Sequence, residues 1–247
     1  MAIWNTGRVV KHKHWSDILH TLYIDADIET FEAGQFVKIG LNINGEIISH
    51  PYSLVNSPKQ KPLSFYYIDV PNGKLTPSLS KLKINDNVLI SPKAYGLMIL
   101  DEVPIAKELW LMATGTGIGP FLSMLTTSQP WQRYEKIVLV WGARRLSELT
   151  YQNLISQLLT EHPYQFIYAP FVSRETSDVA LIGRIPNAIS DGRLEKRAGI
   201  HITAKNSQVM LCGNPQMVKD STNTLIKRGL RKHKRFSPGH ITSENYW

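Results

Sequence analysis

Residues 108–120 read Glu-Leu-Trp-Leu-Met-Ala-Thr-Gly-Thr-Gly-Ile-Gly-Pro. Gly115, Gly117 and Gly119 let a backbone come close to a ligand, and a loop feeding a helix N-terminus offers free N–H groups and the positive end of the peptide dipoles. The chemistry this favours is phosphate binding. A plain strand-to-helix turn would satisfy the same letters, and neither standard phosphate motif is met: the dinucleotide fingerprint wants its third glycine one place later, and no Gly-Lys-Ser/Thr follows. Further along, Cys212-Gly213-Asn214-Pro215 sets the chain's only thiol before another turn, and Arg144, Arg174 and Arg184 place guanidinium groups after or near apolar runs.

The elements that must position these groups change character near residue 100. Before it, strand signals at 7–10, 19–24, 35–43, 46–48, 63–70 and 87–90 predict a small six-stranded antiparallel β-barrel over residues 1–100. Asn44-Gly45 between alternating apolar residues is the strongest hairpin signal, and a short helix over 75–82 is expected with Thr76 as N-cap and Pro77 at its first position. After residue 101, strands at 109–113, 137–141, 165–170 and 208–212 alternate with helices at 120–127, 149–161 and 186–191, which implies an α/β domain with a parallel sheet over 101–247. Asn214 can cap and Pro215 can open a last helix running to about residue 232. Its end holds a dense basic run: Lys227, Arg228, Arg231, Lys232, His233, Lys234 and Arg235.

At 247 residues with 43% hydrophobic and 19% charged side chains, the composition is that of a globular protein with two cores. No apolar leader and no membrane-length run is read, so a cytoplasmic protein with no membrane association is expected. One cysteine excludes an internal disulfide and a cysteine-ligated iron–sulfur cluster within the chain, and no metal site is expected. The net charge of +8 favours an acidic partner. Nucleic acid is disfavoured, because the basic residues cluster at one helix end without interleaved aromatics or a zinc or RNP motif.

Taken together, these stretches resemble the bacterial ferredoxin/flavodoxin–NADP reductases of the enterobacterial type. The string Ala-Thr-Gly-Thr-Gly-Ile-Gly-Pro is similar to the family's pyrophosphate turn, and Cys212-Gly213-Asn214-Pro215-Gln216-Met217 to its Cys-Gly-x-Pro-x-Met turn. Ala33-Gly34-Gln35-Phe36 and Ser49-His50-Pro51-Tyr52-Ser53 resemble its flavin-binding region, whose hallmark is Arg-x-Tyr-Ser. The resemblance implies FAD and NADP as cofactors, hydride transfer from NADPH to the flavin, and single-electron transfer to flavodoxin or ferredoxin by a monomer. It gives Tyr52 the flavin ring, Ser53 the flavin N5 and Cys212 the nicotinamide. His50 stands where the family has an arginine on the FAD pyrophosphate, so weaker FAD retention is expected.

By the same resemblance, Pro51, Tyr66, Lys74, Leu75, Thr76 and Thr116 line the FAD site, and Tyr246 and Trp247 cover it. Ala143, Arg144, Ser173, Arg174, Arg184, Asn214, Pro215, Gln216, Met217 and Asp220 fall to NADP, with Arg174 and Arg184 on the 2′-phosphate. A reductase component of an oxygenase, or a free-flavin reductase, is the alternative within the same fold.

Overall fold

The computed structural model describes residues 3–245. Contacts divide the chain into two compact units, one reaching to Ile99 and taking in Gly119–Thr127, the other formed by Leu100–Ile118 and the chain from Ser128 onward.

The first unit is an antiparallel sheet of β1 (Asn5–His14), β2 (Leu19–Asp25), β3 (Phe36–Ile43), β4 (Glu46–Ser53), β5 (Leu63–Ile68) and β6 (Asn87–Ile90), in the order β4-β3-β6-β1-β2-β5. A bridge from Leu54 to Phe65 draws the two outer strands together and closes the sheet on itself. Leu22, Ile24, Val37, Ile39, Leu63 and Phe65 fill the interior. The β3–β4 hairpin turns through Asn44 and Gly45, both at positive φ, as a tight two-residue loop requires, with Asn42 Oδ1 accepting from Gly45 N–H at 2.9 Å. Strand β4 runs five residues past its sequence-read end, through Pro51, which an outermost strand tolerates because its free side needs no N–H.

The helix expected over 75–82 shrinks to α1 (Thr76–Leu79), and its capping residue is corrected: Leu75 holds the N-cap position with no side-chain cap bond. Thr76 is instead the first helical residue, and its hydroxyl accepts from Val70 N–H at 2.9 Å, closing the turn Pro71-Asn72-Gly73. Helix α2 (Gly119–Leu125), which follows the glycine turn, counts with this unit, and Ser123 Oγ donates to the carbonyl of Asn56 at 2.8 Å.

The second unit is a parallel sheet of β7 (Glu108–Thr114), β8 (Lys136–Ala143), β9 (Phe166–Val172), β10 (Leu181–Ile182), β11 (Ser207–Gly213) and β12 (Ile241–Asn245), ordered β10-β9-β8-β7-β11-β12. Its helices are α3 (Gln129–Arg133), α4 (Gln152–Glu161), α5 (Ile185–Ser190), α6 (Arg193–Ala198) and α7 (Pro215–Lys227). Trp110, Met112, Val138, Val140, Phe171 and Leu211 bury one face of the sheet under α5, α6 and α7.

Two short elements, α3 and α6, and two strands, β10 and β12, escape the sequence reading. Each is too short or too polar to carry a period of its own. The last helix also ends early, at Lys227, where Gly229 turns the chain at φ +88°. Arg228 therefore leaves the basic run: its guanidinium grips the buried carboxylate of Glu195 with contacts of 2.6 and 2.8 Å.

Candidate functional site

At the carboxyl end of the parallel sheet, two glycine turns pack against each other. Residues 115–118 form a 3-10 turn after β7, and Gly213 ends β11 at φ +127°. A Cβ on Gly117 would lie 2.6 Å from Gly213 Cα, and one on Gly213 would lie 2.5 Å from Thr114 Oγ1, so glycine is required at both. Thr114 Oγ1 accepts from Asn214 N–H at 2.9 Å, and Trp141 Nε1 donates to the Gly115 carbonyl at 2.9 Å. Gly115 itself sits at φ +55° with open space where a side chain would stand. The turn thus leaves clear space at Gly115 while its other residues, Thr116 among them, are buried.

Asn214 caps α7 as the sequence predicts, its Oδ1 accepting from Gln216 and Met217 N–H, and Pro215 opens the helix. Met217 packs into the core, whereas Gln216 stays exposed and bonds Asp220 at 2.8 Å.

Three adjacent strands bring the arginines together. Ser173 N–H donates to the carbonyl of Ala143 at 3.1 Å, Arg174 N–H to that of Arg144 at 2.9 Å, and Gly183 N–H to that of Val172 at 2.8 Å. Residues separated by up to forty positions in the chain thereby share one rim at the carboxyl ends of β8, β9 and β10, the place where open parallel sheets bind ligands. Arg144, Arg174 and Arg184 are all exposed there. Two acids of these loops accept backbone N–H groups, Glu148 from Arg144 at 3.1 Å and Glu175 from Leu146. The rim therefore presents guanidinium groups and the Ser173 hydroxyl, a donor set suited to a phosphate.

One residue of this edge is invisible to the sequence reading. Glu244 of β12 lies opposite Cys212 of β11. Cys212 is fully buried, and burial, with the Glu244 charge beside it, pushes its thiol up. Burial also raises the Glu244 carboxyl to about 7, and its Oε2 is buried without a hydrogen-bond partner. Only the pairing of β12 with β11 puts these two together.

In the barrel, the Leu54–Phe65 bridge decides which side chains meet. Both are core residues, so the same antiparallel register sets Tyr52 against Tyr67 inside and Ser53 against Tyr66 on the other face. The Tyr52 and Tyr67 rings meet edge-on at 6.2 Å. Tyr52, Ser53 and Tyr66 are all buried, Tyr52 among the core residues of the barrel, and the register sets Ser53 opposite Tyr66. Burial, reinforced by the Asp69 charge, pushes the Tyr52 phenol up. His50 and Pro51 are exposed on β4, Lys74 is exposed in the turn before α1, and Leu75 is a core plug. Tyr246 and Trp247 lie outside the described residues.

The family description "Oxidoreductase NAD-binding domain" matches residues 111–223. The chain is 45% identical over 248 residues to a flavodoxin/ferredoxin–NADP reductase of Escherichia coli (strain K12), with all of both chains covered. A relative of the same name from Buchnera aphidicola subsp. Baizongia pistaciae is 43% identical over 249 residues, again with full coverage of both. Among solved structures, a ferredoxin NADP+ reductase from Neisseria gonorrhoeae with bound FAD and NADP superposes with a TM-score of 0.94 at 29% identity, covering 100% of each chain.

Proposed function

The chain belongs to the flavodoxin/ferredoxin–NADP reductase family, and on that premise we propose how its residues carry out the reaction. It is an FAD enzyme that oxidises NADPH and reduces flavodoxin or ferredoxin. FAD, when bound, would supply acceptance of a hydride from NADPH and one-electron delivery to the carrier.

The protein's part is to bind, orient and exclude water. Tyr52 and Ser53, with Tyr66 lining the same site, together offer what an isoalloxazine needs, an aromatic face and a small hydroxyl that can reach a ring nitrogen without blocking it. Tyr52, with His50 and Pro51, serves the same cofactor from β4, and Lys74 with the backbone at Leu75 and Thr76 takes its pyrophosphate. Thr116, Tyr246 and Trp247 are assigned to FAD by the family resemblance alone.

NADPH lies along the carboxyl edge of the parallel sheet. Arg174, Arg184 and Ser173 hold the 2′-phosphate, with Ala143 and Arg144 beside them, and the turn from Asn214 to Met217 with Asp220 guides the nicotinamide end toward Cys212. The buried thiol stays protonated and supplies shape rather than charge.

The observation that carries this reading is the convergence of Arg144, Arg174 and Arg184 on one rim at the carboxyl ends of β8, β9 and β10. Four exposed cations, Arg231, Lys232, Lys234 and Arg235, supply a basic surface for an acidic carrier. A monomeric state and a cytoplasmic location belong to the same reading, and light scattering on the purified protein checks the first.

The test is the purified protein itself. A flavin absorption spectrum, bleached by NADPH and restored by added flavodoxin or ferredoxin, is expected. A protein that stays colourless after reconstitution with FAD would overturn the flavin reading, and one whose flavin is reduced equally well by NADH would overturn the assignment of the rim.

A further inference from the structure

We propose that His12, His14 and His20 form a binding site for one divalent transition-metal ion of the zinc type, within the barrel unit. The pairing of β1 with β2 sets His14 opposite His20, and His12 lies two residues back on the same strand face. One ligand nitrogen from each lies within 4.8 Å of the others, and among the described residues this is the one such group. Ring centroids are 4.3 Å apart for His12 and His14 and 4.7 Å for His14 and His20. A tetrahedral zinc with bonds of about 2.0–2.1 Å would draw each imidazole inward by about 1 Å, within reach of small side-chain rotations.

The surroundings fit a cation better than a packed ring cluster. His20 is only 2% exposed, and neither ring nitrogen meets a partner in hydrogen-bond geometry, although the Asp17 backbone is near enough to favour its proton. A buried imidazole left short of good hydrogen-bond partners costs stability unless something binds there. His12 Nδ1 lies 2.9 Å from the Leu82 carbonyl, which can only accept, so the neutral ring carries its proton there and its lone pair on Nε2. A backbone carbonyl fixing one nitrogen while the other ligates is the usual support for a metal-bound histidine. At present that lone pair accepts from the Tyr67 hydroxyl at 3.0 Å, a contact the ion would replace.

Charge and access agree. Asp69, whose Oδ1 is buried without a partner, places negative charge toward His20. Lys11 and Lys13 alternate to the other face of β1, over the rings of Tyr23 and Trp15. An open cleft of about 560 Å³, lined by His14, Trp15, Ser16, Asp17, His20 and Ser80, gives the ion a way in and leaves room for a water or the Asp17 carboxylate as a fourth ligand.

The experiment uses the holoenzyme, treated with a chelator and titrated at pH 7.5 with Zn2+ against a chromophoric indicator, and separately with Co2+. Wild type should take one tight equivalent of Zn2+ and give the intense visible bands of four-coordinate Co2+. His14→Asn, at an exposed position, and His20→Phe, which keeps a buried ring, should each weaken Zn2+ binding on the order of a hundredfold and lose the Co2+ bands. Equal binding by wild type and both variants would assign the ion to other histidines, and absence of tight binding by wild type would reduce the cluster to ring packing. Either result overturns the proposal without touching the redox reading, because the flavin spectrum is read on the same samples.

Discussion

Cys212 of β11 and Glu244 of β12 stand opposite each other on neighbouring parallel strands, a fully buried thiol beside a carboxyl raised to about 7. Because burial makes this carboxyl easier to protonate in the folded chain than in the unfolded one, its burden on stability is absent below about pH 4.5 and complete above about pH 7. Glu244→Gln should therefore raise stability at pH 8 by on the order of 2–3 kcal/mol and leave it unchanged at pH 4. Urea unfolding at saturating FAD and both pH values reads the difference, and equal gains at the two would mean that ionisation is not the cause.

Arg174 and Arg184 should set the preference for NADPH. A charge-assisted hydrogen bond to the 2′-phosphate contributes roughly 1.5–3 kcal/mol, so Arg174→Ala should lower the NADPH to NADH ratio of kcat/KM by roughly tenfold to a hundredfold. Activity with NADH should barely move. An unchanged ratio would remove Arg174 from the phosphate.

The two ends of the glycine turn should respond differently to alanine. At Gly117 a Cβ meets the backbone of Gly213, with contacts of 2.6 and 2.8 Å, so Gly117→Ala must push two turns apart at a cost of roughly 2–3 kcal/mol and should impair NADPH binding. At Gly115 there is room for the methyl group, and only the left-handed backbone resists it, by about 1–2 kcal/mol. Thermal unfolding and NADPH KM of the two variants give the comparison, which fails if Gly115→Ala is the more damaging for stability.

The Glu195–Arg228 pair should act as an internal tie rather than as part of the carrier surface. Burial alone would push the Glu195 carboxyl up, but the hydrogen bonds from Arg228 and from Ile202 N–H outweigh it and hold it below its ordinary value. Its contribution is then complete above about pH 4.5 and is lost as pH falls through the lower folded value. Arg228→Ala strands a carboxylate that is 7% exposed and should cost about 3–5 kcal/mol at pH 7, less in acid. Urea unfolding between pH 3 and 7 checks this.

Salt should separate Arg228 from its exposed neighbours. Replacing Lys234 and Arg235 with glutamate should slow flavodoxin association most at low ionic strength, where steering acts, and leave stability near that of wild type. Stopped-flow rates across a salt series measure it, and a flat dependence in wild type would take electrostatic steering out of the account.

Much of this fold is legible in the order of residues because it rests on local chemistry. Asn44-Gly45 dictates its hairpin through positive φ, Asn214-Pro215 starts α7 with a cap and a missing N–H, and the apolar runs of β7, β8 and β11 can only be covered strands. Sequence also singles out Ser173, Arg174 and Arg184, although only as separate basic or hydroxylic positions. What it cannot supply is pairing between distant segments. The placing of Tyr52 opposite Tyr67, and of Ser53 opposite Tyr66, follows from one bridge, Leu54 to Phe65, and from strand alternation around it. The polar segment Ile-Thr-Ser-Glu-Asn becomes a strand only because β11 offers it an edge, which is what brings Glu244 to Cys212. In the same way, Arg228 reads as one cation in a run until the chain turns at Gly229 and Glu195, thirty-three residues away, claims it. Hydrogen bonds between neighbours in sequence are written in composition and spacing, whereas contacts that close long loops depend on register, and register is fixed only when the whole sheet forms.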